Sequence, residues 1–134
     1  MDMGRIILML HELLSQRIQV ILITEGFQRG SVIIDNNDLQ IDGSLEEVNS
    51  PYPIDEKLKA FGFEVKVIDG HDFNEIKEAF DAFEKGAEKP FAIIAKTTKG
   101  KGVSFMENKC DWHGVAPNEE QYKMAMAELE GGEI

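Results

Sequence analysis

The chain predicts an α/β domain built on a mostly parallel sheet with helices on both faces. Two observations carry this. Segments of strand character alternate with segments of helical periodicity along the chain. Three of the strands, QVILIT (19–24), SVIID (31–35) and PFAIIAKT (90–97), are continuous apolar runs, as expected of strands covered on both sides. No repeat or linker interrupts the pattern, so residues 1–134 read as a single domain.

Met3, Ile6, Ile7, Leu10, Leu13 and Leu14 recur at helical spacing, which predicts a helix over 3–15 with Asp2 as its cap. QVILIT follows as a buried strand, EGFQRG as a turn, and SVIID as a second strand. A parallel pair needs a dozen or more connecting residues, and the link across Gln28–Val32 is shorter. These two strands are therefore non-adjacent, antiparallel, or not both real.

A polar loop is expected from Asn36 to Pro53, then a helix from Ile54 to Phe61 that ends at Gly62. FEVKVID (63–69) alternates and reads as a strand. Asp72 and Glu75 have capping-box spacing, and Phe73, Ile76, Phe80 and Phe83 mark the inner face of a helix ending at Gly86. After PFAIIAKT comes a long loop, 98–117. Asn118, with Gln121 three residues on, caps a last helix whose inner face is Tyr122, Ala125, Met126 and Leu129.

The formal charge of -11 disfavours nucleic acid and anionic lipid as partners. Basic residues cluster once, at Lys96, Lys99 and Lys101, a patch suited to a small anion such as phosphate. The single cysteine, Cys110, excludes a disulfide framework and a cysteine zinc site, and reads as a reduced thiol in a loop. No apolar run reaches the ~18 residues that span a bilayer. No signal peptide is apparent, and the expected setting is the cytoplasm.

In open parallel sheets, ligands bind at the carboxyl ends of strands. Three polar clusters fall at such ends: Asp35-Asn36-Asn37-Asp38, Asp69-Gly70-His71-Asp72, and Lys96 to Gly102. The first offers hard oxygen donors for magnesium or calcium, though Asn and Asp after a strand also simply make turns. The last offers lysines and glycine N–H groups for phosphate, without the form of a Walker loop. Together they point to a metal-diphosphate ligand.

The segments IIDNNDLQIDG, FGFEVKVIDGHD, KPFAIIAKTTKGKGVSFMEN and DWHGVAPNEEQY together resemble the amino-terminal, thiamine-diphosphate-binding domain of transketolases. They look most similar to the split type, whose two halves are separate chains. The resemblance is strongest over residues 31–131. It implies that Asn37, through its side-chain oxygen, and Leu39, through its backbone carbonyl, hold the magnesium that bridges the cofactor diphosphate. Asp35 and Asn36 would shape that turn. It implies that Lys99 lies beside the diphosphate as a point charge. His113 would lie beside diphosphate and substrate, binding a phosphate or sugar oxygen and moving protons. His71 would be architectural, with Asp69 and Asp72 fixing its turn; Trp112 would pack the loop; His11, Lys96 and Lys101 would face solvent.

The sequence also departs from the family. The GDG motif that supplies the principal magnesium ligand is absent. ILITEGFQRG resembles that segment with one residue dropped, which puts Glu25 in place of the metal-binding Asp and Gly26 at the second glycine. Glu25 and Asn37 are only 12 positions apart (37 − 25), where the family has a whole helix. This reads as an internal deletion together with a shortened amino terminus. The resemblance implies that the pyrimidine-binding domain completing the cofactor site would come from outside these 134 residues.

The expectation is a transketolase-like fragment or subunit. Completed by a pyrimidine-binding half, it would move a two-carbon ketol unit between sugar phosphates with thiamine diphosphate and magnesium; alone it would be inactive. The alternative is a non-catalytic remnant, a binding module that self-associates through exposed sheet surface. A third reading is a magnesium-dependent phosphate binder using Asn37, Asp38 and Lys99.

Overall fold

The computed structural model describes residues 19–23, 31–84 and 89–131. The expected first helix, the EGFQRG turn and the Gly86 helix end lie outside the described residues. In chain order the elements are β1 (Gln19–Ile23), β2 (Ser31–Asn36), β3 (Leu39–Gln40), β4 (Gly43–Ser44), α1 (Leu45–Asn49) and α2 (Ile54–Ala60). There follow β5 (Glu64–Asp69), α3 (Phe73–Glu84), β6 (Phe91–Lys96), a 3-10 turn (Cys110–His113) and α4 (Glu119–Gly131).

Four strands form one sheet in the order β1-β2-β6-β5. β2, β6 and β5 are parallel, and they are in register: Asn36 stands level with Lys96, which stands level with Asp69. β1 pairs with β2 antiparallel, Gln19 opposite Asp35 and Ile23 opposite Ser31. Of the options open for the short link, the antiparallel pairing is the one adopted. It is the only one a link too short for a crossover can make between neighbouring strands.

Side chains of β2 and β6 alternate between two cores, which is why Val32–Ile34 and Phe91–Ala95 are unbroken apolar runs. On one face Val32, Ile34, Ala92 and Ile94 pack with Ile54 and Leu58 of α2 and with Phe63. On the other, Ile68, Phe91 and Ile93 pack with Ala79 and Phe83 of α3. The Phe83 and Phe91 rings meet there at 5.2 Å. Helices therefore cover both faces, as the sequence predicts. β5 lies at the sheet edge, so its charged residues Glu64 and Lys66 reach solvent.

Three local expectations are corrected. The loop after β2 is not irregular throughout: it holds the β3-β4 hairpin and α1, which Ser44 and Glu47 start with a reciprocal capping box. In α3 the inner face is Ile76, Ala79, Phe80 and Phe83, while Phe73 is 78% exposed. In α4, Ala125 is buried but Tyr122 and Leu129 are exposed. Periodicity marks a stripe, and only packing decides how much of it is covered. The Asn118–Gln121 box at the start of α4 forms in both directions, each bond 2.9 Å long.

Ile34 is fully buried at the centre of the sheet. Ile34→Ala is expected to lower stability by about 2–5 kcal/mol, read from chemical denaturation of the full chain.

Candidate functional site

The in-register parallel strands bring all three polar clusters to one edge of the sheet. β2 delivers Asp35 to Asp38, β6 delivers Lys96 to Gly102, and β5 delivers Asp69 to Asp72. Past the strand ends no ladder remains, and side chains hold the loops together. Thr97 Oγ1 donates to Asp35 Oδ1 across the β2–β6 gap. Thr97 N–H donates to the Asn36 carbonyl, and Gly70 N–H donates to the Lys96 carbonyl at 2.7 Å. A Cβ on Gly70 would stand 2.5 Å from Thr97 Cγ2, so this close approach requires glycine.

The turn after β2 is shaped by its own polar atoms. Asn37 Oδ1 accepts Leu39 N–H at 3.1 Å, which uses one of its two lone pairs. Asp38 takes a positive φ of 62°, a conformation Asp tolerates better than most residues. The Tyr52 hydroxyl lies 2.8 Å from Asn36 Oδ1 and 3.1 Å from Asp38 Oδ1, donating toward both. Burial first, and then the Asp38 carboxylate, which accepts the hydroxyl proton and repels a phenolate charge, push the Tyr52 hydroxyl above its ordinary range. The phenol therefore stays protonated and available as a donor. Asn36 is turned inward to Tyr52, which leaves Asn37 as the neighbouring amide with spare acceptor capacity.

The loop after β6 is a series of tight turns around buried Val103. Thr98 N–H donates to His71 Nε2 at 2.7 Å. Lys101 N–H donates to the Thr98 carbonyl at 3.2 Å, and Asn108 N–H donates to the Lys99 carbonyl at 3.0 Å. Gly100 has φ +70°, and a Cβ there would meet the Met106 carbonyl at 2.8 Å. Among the described residues, the Lys99 and Gly100 N–H groups meet no acceptor, and the Lys99 ammonium forms no ion pair. The Gly102 N–H, by contrast, already donates to Glu107 Oε1 at 3.0 Å.

His113 is exposed at the end of the 3-10 turn, and that turn lies against β3, the strand that carries Leu39. Trp112 packs the loop as expected, its Nε1 donating to the Phe105 carbonyl at 3.1 Å. Glu25 and Gly26 lie outside the described residues. Half of the expected capping box at α3 forms: Asp72 Oδ1 accepts the Glu75 N–H at 3.4 Å and the Asn74 N–H at 2.7 Å, while the Glu75 side chain reaches past Asp72 to the Asp69 N–H at 2.8 Å.

Two contributors to the site, and one buried amide, escape sequence reasoning. Tyr52 is 16 residues from Asn36 in a polar loop, with no periodicity to mark it. His71 reads as part of its own turn, yet its ring serves the loop 27 residues on. Gln40 is 7% exposed, and its Nε2 has no hydrogen-bond partner among the described residues. Its neighbours Leu39 and Asp42 gave no hint that it would be buried.

The donor set fits a cation that arrives with its own anion. Asn37 offers a neutral amide oxygen, and Lys99 a positive charge with N–H groups beside it that meet no acceptor among the described residues. Among the described residues no group of three or more His, Cys, Asp or Glu is arranged to hold a metal. A neutral oxygen set binds magnesium weakly by itself and better when a diphosphate supplies the charge.

The 98–117 loop is tied to α4 by Glu128, whose oxygens accept the Ser104 N–H at 2.5 Å and the Ser104 hydroxyl at 2.8 Å. These bonds, the N–H first, hold the Glu128 carboxyl below its ordinary range. A lowered carboxyl contributes stability above its unfolded pKa and loses it as pH falls through the folded value. The difference in thermal stability between the parent and Glu128→Gln is therefore expected to be widest at neutral pH. It should close below the usual glutamate range, in melting curves recorded against pH.

The family profile described as "Transketolase, thiamine diphosphate binding domain" matches residues 10–130. The chain is 44% identical over 96 residues to the 6-deoxy-6-sulfo-D-fructose transketolase subunit SqwG of Clostridium sp. (strain MSTE9), covering 72% of this chain and 35% of that protein. It is 41% identical over 97 residues to an apulose-4-phosphate transketolase subunit of Phocaeicola vulgatus, covering 72% and 34%. In structure it is similar to the transketolase of Campylobacter jejuni, with a TM-score of 0.67 and 36% identity over 73% of this chain and 15% of that one. The chain thus matches about a third of the length of the two subunits.

Proposed function

This chain belongs to the transketolase family, in its thiamine-diphosphate-binding domain, and from that premise we propose that it acts as the diphosphate-binding half of a transketolase-type transferase. The pyrimidine-binding half would be a separate chain, and sugar phosphates the substrates. The observation that supports this most is the alignment of Asn36, Lys96 and Asp69 at one sheet edge. It sets an oxygen-rich turn beside a lysine- and glycine-rich loop, an arrangement that suits a metal-diphosphate ligand.

In this reading Asn37 Oδ1 and the Leu39 carbonyl hold magnesium, and Lys99 neutralises diphosphate as a point charge. The free N–H groups of Lys99 and Gly100 add hydrogen bonds to phosphate oxygen. His113 binds a phosphate or sugar oxygen and exchanges a proton at an imidazole nitrogen, for which its exposed position on the turn beside Leu39 leaves room. Thiamine diphosphate, when bound, supplies the electron sink that allows a two-carbon ketol unit to be moved. The isolated chain supplies only position and charge at the diphosphate end, so it is inactive until a partner half completes the site.

A second reading is a binding module that has kept the fold and lost the chemistry. The antiparallel β1 favours it, because the carboxyl end of that strand lies at the edge of the sheet opposite Asn36. This also bears on Glu25, which follows β1 in sequence: Glu25→Gln is expected to weaken cofactor binding less than Asn37→Ala.

Calorimetric titration of the full chain with thiamine diphosphate, with and without magnesium, tests both readings. Magnesium-dependent binding that weakens about tenfold or more in Asn37→Ala and Lys99→Ala is expected. Absence of heat from a folded chain sinks the first reading and leaves the second. Turnover of a ketose phosphate donor and an aldose phosphate acceptor, appearing only when a pyrimidine-binding half is added, is the expected result for the complete enzyme.

A further inference from the structure

One side chain joins two of the three strand ends without belonging to any ladder. His71 Nε2 accepts the Thr98 N–H at 2.7 Å. A ring nitrogen accepts only when it carries no hydrogen, so this contact selects the neutral imidazole with its proton on Nδ1. Both residues are half-buried, which shields the bond from competing water.

The backbone that carries the ring is anchored on every side. His71 N–H donates to Asp69 Oδ1 at 2.9 Å, and Asp69 N–H donates to Glu75 Oε2 of α3 at 2.8 Å. Gly70 N–H, between them, donates to the Lys96 carbonyl at the end of β6. The imidazole therefore stands on a frame made of β5, β6 and the first turn of α3. Thr98 does not: beyond β6 its segment has no strand partner. The ring holds its N–H, the Lys101 N–H of the same loop bonds its carbonyl, and the Asn108 N–H, bonded to the Lys99 carbonyl, holds the segment one residue on. Beside these bonds lie the N–H groups of Lys99 and Gly100, which meet no acceptor among the described residues, and the Lys99 ammonium.

We propose that His71 is a positioning residue for anion binding: as a neutral acceptor it engages Thr98 N–H and so presents Lys99 and the next N–H groups to a diphosphate. The inference rests on the reading of this loop given under Proposed function. What the position requires is an acceptor at the reach of Nε2, not a charge and not merely bulk. Glutamine, whose Oε1 is a neutral acceptor at comparable reach, replaces it; alanine does not.

The test uses the full chain, His71→Ala and His71→Gln. Amide exchange is read at Thr98 and at Ile93 and Ile94 of β6, and thiamine diphosphate affinity is read by calorimetry in magnesium. In His71→Ala, exchange at Thr98 should rise and affinity should fall, each by about five- to tenfold, the worth of one hydrogen bond. The β6 amides should not change, and His71→Gln should recover most of both effects. Nitrogen-15 shifts of the parent imidazole should report a bare Nε2. Unchanged Thr98 exchange in His71→Ala, a His71→Gln variant no better than alanine, or equal acceleration in β6 overturns the inference. A parent chain that binds no thiamine diphosphate overturns the functional reading instead. The latch then stands or falls on Thr98 exchange with inorganic diphosphate as the probe, and equal diphosphate affinity in parent and His71→Ala overturns it.

Discussion

Parallel pairing in strict register puts the carboxyl ends of β2, β6 and β5 on one line, and the candidate site depends on that line. Asn36, Lys96 and Asp69 are residues of unlike chemistry and distant sequence, yet the ladder makes them neighbours. A shift of one residue in either ladder would turn every core side chain of the shifted strand to the wrong face. Two cores, one on each side of the sheet, prevent it. The packing that stabilises the domain is therefore the same packing that aligns the site.

Beyond the strand ends the backbone has no ladder to satisfy it, and side chains take over. Asp35 receives the Thr97 hydroxyl, His71 receives the Thr98 N–H, and Tyr52 bridges Asn36 and Asp38. Each of these bonds crosses between elements, so the loops are positioned relative to one another and not only to their own strands. Buried or half-buried bonds of this kind are worth more than exposed ones, because water does not compete for the partners. The surface ion pairs, such as Lys59 with Asp55, add little by comparison.

β1 shows how a short connection rewrites topology. In a family sheet of parallel strands, a link long enough for a helix returns the chain to the starting edge. Here the link spans only residues 24–30, and the strand beside β2 runs the opposite way. Its apolar run still completes the sheet, so the fold tolerates the change. The function is more exposed to it, because a ligand carried at the carboxyl end of a strand depends on which edge that end reaches.

The apolar runs and their spacing determined by themselves that this is an α/β domain, because strands buried on both faces must be apolar throughout and helices buried on one face must be striped. The order of motifs determined the family, since IIDNNDLQIDG, DGHD and KTTKGKG are local signals carried by consecutive residues. Local caps such as Asn118–Gln121 were legible for the same reason. Tertiary structure alone decided what joins distant residues: the direction of β1, the exposure of Phe73 and Tyr122, the burial of Gln40, and the reach of Tyr52 and His71 to loops far along the chain. Those outcomes depend on which surfaces meet in space. No periodicity records such a meeting, because a hydrogen bond between residues 71 and 98 leaves no mark on the residues between them.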